Sequence, residues 1–435
     1  MLTKERILIF SPIALAVMAG VCAVLITGVG NADFVDSVDY LAAAKMIAEQ
    51  GQYPDVGSLP FFRAPLYPGF MALVWSIVPG SILAIKVIQV ALFAASAWIS
   101  GKTLRLITKN AWMAFAGSMI FAANPFFAFE AAAIQTECLQ IFLLSTAFYL
   151  IVRLLTADRF ELTAALPLGI VLGLASLNKP SVLGATLVIA AAIWFLKRKA
   201  VNSVYASVAI VALAFVTILP WSLFVYQTKG QFFLVNDAGG YNAWSGNLPE
   251  SVKYYETTFT TTADAAAWGE DLAKVQMDQW EAAGGYSNLS LKQREALWTA
   301  KAIENVEGQP GTIAKLWGYK FLSFWKPFVS SSIYSPRAVA LSAVVMVPLF
   351  VFGFLGLAEI LKAPTTSPVG WMFVVLAVFA TAVHVALVAN LRLRLPYIDP
   401  WLAMFAGVSV CDLAYRFFRS PATATGLSNL EPAAI

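Results

Sequence analysis

ILIFSPIALAVMAGVCAVLITGVGNADFVDSVDY, residues 7–40, joins a long uncharged run to three carboxylates spaced three apart, Asp33, Asp36 and Asp39. The run is long enough to cross a bilayer. It exceeds a signal-peptide core and lacks a good small-x-small cleavage site, so it reads as an uncleaved anchor. The acidic triplet then falls at a membrane boundary in a chain that otherwise avoids charge. Only 12% of the 435 residues are charged and 59% are hydrophobic, with a mean hydropathy of +0.73. Soluble domains carry about 25% charged residues, so the composition describes an all-α, polytopic membrane protein.

Ten apolar stretches meet the length rule, at 7–29, 81–100, 111–130, 135–155, 163–178, 181–196, 203–226, 337–361, 369–389 and 397–415. The fifth and sixth are short and meet at SLNKPS. With a cytoplasmic N-terminus, ten alternating spans place thirteen Lys and Arg inside: Lys4, Arg6, Lys102, Arg105, Lys109, Arg153, Arg159, Lys197, Arg198, Lys199, Lys362, Arg416 and Arg419. Outside one long loop, six remain on the other face: Lys45, Arg63, Lys86, Lys179, Arg392 and Arg394. This imbalance obeys the positive-inside rule and puts both termini in the cytoplasm, as for an inner-membrane protein.

Residues 1–226 then form an N-terminal membrane module, 227–336 an outer insert, 337–419 the last spans and 420–435 a cytoplasmic tail. The first outer loop, 30–80, holds DSVDYLAAAKMIAEQG as a short helix and LYPGFMALVWSIV as a Pro-flanked interfacial segment. The insert carries nine of the other ten basic residues, Gly/Asn-rich turns, a Thr cluster (TTFTTT) and SLKQ, a capping box of Ser290 and Gln293. Its Trp244 and Trp317, with Trp325, read as packing residues that could also stack on a sugar. No internal repeat is visible. Cys22, Cys138 and Cys411 lie in apolar runs without metal-ligand spacing, and the lone His384 reads as buried packing.

The charged residues left at the outer boundary come from four separate connections. They are the three aspartates, Arg63, Lys86, Glu130, Glu137, Lys179, Arg392 and Arg394. Each alone could be a snorkelling anchor, and Asp36 an N-cap. Together they offer cations for a phosphate and carboxylates for a proton. That pairing suits sugar transfer from a lipid phosphate at the membrane surface. No Gly-rich phosphate loop of Walker type is present. The i,i+2 spacing of Arg392 and Arg394 in an extended run before Pro396 would project both to one side. Asp39 beside Asp36 could tune it or complete a site for a divalent cation, Mg²⁺ or Mn²⁺. Asp33 and Glu130 read as structural.

In DSVDYLAAAKMIAEQGQYP, FRAPLYPGF, the NP…TECLQIFLL stretch, NKPS, LPWSLFVYQTKGQFFLVNDAGGYNAWSGN and RLRLPYIDPWL the chain resembles the GT-C superfamily of integral-membrane glycosyltransferases. The likeness is to the protein mannosyltransferase and aminoarabinose transferase branch. It implies Asp36 as base on the acceptor hydroxyl and Glu137 as a second catalytic acid. It implies Arg63, Arg392, Arg394, Lys179 and Lys86 around the donor phosphate, and Asp39, Tyr40 and Tyr67 toward substrate. Lys179 stands where relatives often have Arg-Pro, and the PW segment lacks their Arg-Asn pair. The implied reaction is inverting transfer from a polyprenyl-phosphate sugar to a hydroxyl, or an amine, on a glycan, lipid or protein outside the membrane. No nucleic acid is involved. A flippase or transporter would scatter charge through the middle of its spans. An O-antigen-type polymerase does not account for the DSVDY and FRAPLYP pair.

Overall fold

The computed structural model describes residues 4–32, 35–53, 63–157, 162–197, 202–257, 269–330 and 334–418. Asp33, most of the Thr cluster and the tail 420–435 lie outside the described residues. Regular structure within them is entirely helical. In order, the helices are α1 (Lys4–Thr27), α2 (Val35–Gln50), α3 (Leu66–Ile77), α4 (Ile82–Thr108), α5 (Ala111–Ala122), α6 (Pro125–Ala132) and α7 (Glu137–Thr156). Next come α8 (Leu162–Asn178), α9 (Ser181–Leu196), α10 (Ser203–Lys229), α11 (Gly239–Gly246), α12 (Val252–Thr257), α13 (Gly269–Ala282), α14 (Leu291–Gly308) and α15 (Pro310–Trp325). The last are α16 (Pro336–Lys362), α17 (Ser367–Ala386), α18 (Leu391–Arg394) and α19 (Asp399–Phe418).

Every apolar stretch anticipated as a span is helical. Six helices, α1, α4, α7, α10, α16 and α17, are long and apolar enough to cross a membrane, and the bent pair α5–α6 makes a seventh. The protein is an integral, multi-pass membrane protein. The helices α8 and α9 are shorter, at 17 and 16 residues. The loop 30–80 contributes α2 and α3, and α3 buries Tyr67, Met71 and Val74 against the bundle.

The bend between α5 and α6, 52°, arises at Asn124-Pro125. Pro125 has no N–H to continue the ladder of α5, and Asn124 restarts a helix by accepting from the Phe126 amide at 2.9 Å. After α6, residues 133–136 form a turn buried in the bundle, whose free carbonyls need donors. Side chains from three helices supply them. Gln89 donates to the carbonyls of Ala131 and Ala133 at 3.1 and 2.7 Å, Ser37 to Ile134 at 2.8 Å, and Asn178 to Thr136 at 3.0 Å. Glu137 is fixed by this network at the start of α7.

Helices pack closely through small residues, as membrane bundles do. A Cβ added to Gly356 on α16 would land on the carbonyl oxygen of Phe405 on α19, and backbone cannot step aside. Gly356→Ala is therefore expected to destabilise by about 1–3 kcal/mol. A melting temperature unchanged from wild type would show that the two helices are not held this closely.

In the insert, Tyr241, Trp244, Tyr286 and Trp298 form a separate small core, with Trp244 stacked on Trp280 at 4.8 Å. Trp244 is 1% exposed, so it packs and offers no free face to a sugar. Ser290 and Gln293 close their capping box at the start of α14. His384 is buried between Phe324 and Tyr397.

Candidate active site

Charged side chains from five separate segments meet at one end of the bundle. Asp36 sits in the first turn of α2 and Asp39 three residues on, so both face the same way. Arg63, just before α3, donates to Asp36 Oδ1 at 2.8 Å and to Asp39 Oδ2 from two nitrogens at 3.1 and 3.0 Å. Arg392 on α18 donates to Asp36 Oδ2 at 2.6 Å, and its Nε lies 2.7 Å from Glu137 Oε1. Lys179, between α8 and α9, donates to the same Glu137 oxygen at 2.8 Å. The result is an alternating ladder, Asp39–Arg63–Asp36–Arg392–Glu137–Lys179, of three acids and three bases.

The ladder is graded in exposure. Glu137 is fully buried, Asp36 is 20% exposed and Asp39 43% exposed at the side chain. A buried carboxylate survives only with close cations, and Glu137 has two. Burial would raise the pKa of Asp36, but the guanidinium groups of Arg392 and Arg63 prevail and hold it below the ordinary carboxylate range. Asp36 is thus ionised, and the stability it confers is lost only as pH falls through that depressed value. The kcat/KM profile is expected to show no acid limb from Asp36 above about pH 4, the ordinary carboxylate value. A limb near pH 6 that disappears in Asp36→Asn would contradict this arrangement.

The Nε of Arg392 faces Glu137 Oε1 at 2.7 Å and its terminal nitrogen faces Asp36, so this guanidinium is held by carboxylates on two sides.

Tyr40 lies under Arg63, with the guanidinium carbon 5.3 Å from its ring centre, and burial pushes its phenol up to about 12. Tyr67 is packed edge-on behind Tyr40 and is wholly buried, its hydroxyl donating to Gln89 at 2.7 Å. Its position supports Tyr40 from behind and does not reach the ladder's open side. Tyr53 braces the other flank by donating to the Arg63 carbonyl at 2.6 Å.

Two expected phosphate ligands stand apart from the ladder. Residues 391–394 form a helical turn where the sequence reading had an extended run, so side chains at i and i+2 diverge by about 200° and do not share a face. Arg392 turns to the ladder, while Arg394 is fully buried against Asp399 at 2.9 Å and the carbonyls of Phe324 and Lys326 at 2.7 and 3.0 Å. Lys86 is 1% exposed and donates to the carbonyl of Gly28 beyond α1 at 2.7 Å. This bond ties the chain just after α1 to α4.

The donor set does not suit the divalent cation considered for Asp36 and Asp39. Both Asp36 oxygens and one of Asp39 accept from guanidinium groups, which occupy the positions a cation would take. Among the described residues, no three His, Cys, Asp or Glu side chains cluster as metal ligands. The neutral side chains Gln89, Ser37 and Asn178, which fix the turn before Glu137, escaped the sequence reading. Gln89 and Asn178 were detectable only as amides inside apolar runs.

No protein-family profile matches the chain, and no curated protein matches it. Solved structures do. The oligosaccharyltransferase of Archaeoglobus fulgidus in its apo form superposes with a TM-score of 0.57 at 13% identity, over 97% of this chain and 52% of that one. The same archaeal oligosaccharyltransferase, AglB, in complex with an inhibitory peptide and a dolichol-phosphate, superposes with a TM-score of 0.56 at 13% identity, over 97% and 52%. A third structure, tethered to an acceptor peptide, gives 0.57 at 11% identity, over 96% and 51%. This chain therefore spans about half the length of the structures it matches, and the likeness is one of fold.

Proposed function

We propose that this chain, which has the fold of the GT-C membrane glycosyltransferases, transfers a sugar from a polyprenyl-phosphate donor to a hydroxyl or amine acceptor at the outer face of the cytoplasmic membrane. The observation that carries this reading is the ladder. It sets the partly exposed Asp36 carboxylate between the guanidinium groups of Arg63 and Arg392. The dolichol-phosphate in the AglB structure supports a lipid phosphate as the class of donor.

In this reading the donor phosphate competes with Asp36 for Arg63 and Arg392. Guanidinium groups bind phosphate oxygens in a bidentate way and offset the negative charge that collects on the leaving group. As they turn to the phosphate, Asp36 loses its ion pairs and becomes a stronger base. It takes the proton of the acceptor hydroxyl as that oxygen attacks the anomeric carbon. The bond from that carbon to the phosphate oxygen breaks, and polyprenyl phosphate leaves with the electron pair. One displacement at carbon inverts its configuration. Glu137, held by Lys179 in the buried part of the ladder, keeps Arg392 oriented through the exchange.

The protein purified into lipid nanodiscs tests this when supplied with a radiolabelled polyprenyl-phosphate sugar and periplasmic glycan or lipid acceptors. The expected result is free polyprenyl phosphate with the label on an acceptor. Transbilayer movement of intact donor, with no label transferred, would favour a flippase.

A further inference from the structure

Arg392 reaches the ladder from the connection between α17 and α18, and that connection is held by the outer insert. A helix ends with carbonyls that lack intrahelical partners. Those that end α17 are met by side chains from α11–α15. Lys320 on α15, fully buried, donates to the carbonyls of Leu387 and Val385 at 2.8 and 3.3 Å. Asn247, just after α11, donates to Ala386 at 2.7 Å, and Tyr255 on α12 donates to Ala389 at 3.3 Å. Asn390 then caps α18 by accepting from the Leu393 amide at 3.0 Å. Four carbonyls, those of Val385, Ala386, Leu387 and Ala389, are thus held by the insert, and three residues after the last comes Arg392.

Lys320 and Asn247 are also joined to each other. Besides the two carbonyls, Lys320 Nζ donates to Asn247 Oδ1 at 3.4 Å. That oxygen also accepts from Trp317 at 2.8 Å, and the second amide proton of Asn247 goes to Ala243 at 2.7 Å. Gly246 lets this junction close, because a Cβ there would strike the Leu387 carbonyl oxygen. Among the described residues, no carboxylate compensates the buried ammonium. An apolar side chain would cost less at this depth, so the lysine is explained by the carbonyls it holds.

We propose that Lys320 and Asn247 are positioning residues that set the reach of Arg392 toward Asp36 and Glu137, which makes the outer insert a working part of the site. The inference rests on reading Arg392 as a ligand of the donor phosphate.

Two measurements on the full chain in nanodiscs test it: hydrogen exchange of residues 385–394, and affinity for polyprenyl phosphate. Lys320→Met keeps the bulk and removes the donors. It is expected to speed exchange across 385–394 and to weaken polyprenyl phosphate binding about tenfold, the worth of about one charge-assisted hydrogen bond. Lys320→Arg, which keeps the donors, is expected to restore part of the affinity. Because the lysine acts through Arg392, adding Lys320→Met to Arg392→Ala is expected to cost nothing more than Arg392→Ala alone. Additive losses, or unchanged exchange in a folded Lys320→Met protein, would overturn the proposal. If Lys320→Met fails to fold, Tyr255→Phe carries the same test, with a loss of about threefold that also vanishes in the Arg392→Ala background. Faster exchange in a protein whose wild type binds no polyprenyl phosphate would uphold the clamp on 385–394 and overturn the reading of Arg392 as a phosphate ligand.

Discussion

Replacing Asp36 with asparagine is expected to lower turnover by about 10²–10⁴-fold, the usual contribution of a positioned general base. Asparagine keeps the shape of the side chain and can still accept one arginine N–H, but it cannot take a proton. Donor affinity is expected to stay the same or to rise, because Asp36 holds Arg63 and Arg392, the groups proposed to bind phosphate, at 2.8 and 2.6 Å. A fall in kcat with KM for the donor unchanged or lower is the signature of a group that acts in the transition state and opposes ground-state binding. Transfer at the wild-type rate would remove Asp36 as the base. A rise in KM with kcat intact would mean that it only orders the arginines. Raising the ionic strength is expected to change this little, since the ladder is largely sheltered from solvent.

The second large effect concerns Arg394, two residues from Arg392 and different in role. Arg394 and Asp399 are both fully buried, and the same guanidinium also serves two backbone carbonyls. Arg394→Ala leaves a buried carboxylate without its partner and two carbonyls without donors. Breaking a buried pair by removing one member costs about 3–5 kcal/mol. A melting temperature lowered by many degrees is expected, whatever substrate is present. Arg392→Ala is expected to behave in the opposite way, with a modest loss of stability and a large loss of donor binding, because Arg392 is 36% exposed and Glu137 keeps Lys179. If Arg394→Ala melted like the wild type but failed to bind donor, the two arginines would have to exchange roles.

Much of this arrangement is legible in the sequence, for a physical reason. Charge is so costly inside a bilayer that the spans carry little of it, so the ionised residues collected at their boundaries stand out, Asp36, Arg63, Glu137, Lys179 and Arg392 among them. The helices are equally legible as uninterrupted apolar runs. Direction at short range is not. Whether Arg392 and Arg394 share a face depends on four residues turning into a helix, and a Leu-Arg-Leu-Arg run before proline fits an extended segment as well. The insert is harder still. Lys320 is one of nine basic residues there, and nothing in its neighbours marks it as the one buried against a helix end. Neutral donors such as Ser37 and Gln89 carry no charge signal, and their purpose appears only once the turn at 133–136 is seen to need partners.

The affinity of purified wild type and Arg63→Ala for polyprenyl phosphate, measured in nanodiscs at one fixed ionic strength, tests the central claim most directly. Arg63 has a single guanidinium shared by Asp36 and Asp39, the more exposed of the ladder's carboxylates. Clear binding by the wild type is expected, with a loss of about tenfold or more in Arg63→Ala and little change in melting temperature. Equal affinities in the two folded proteins would contradict it.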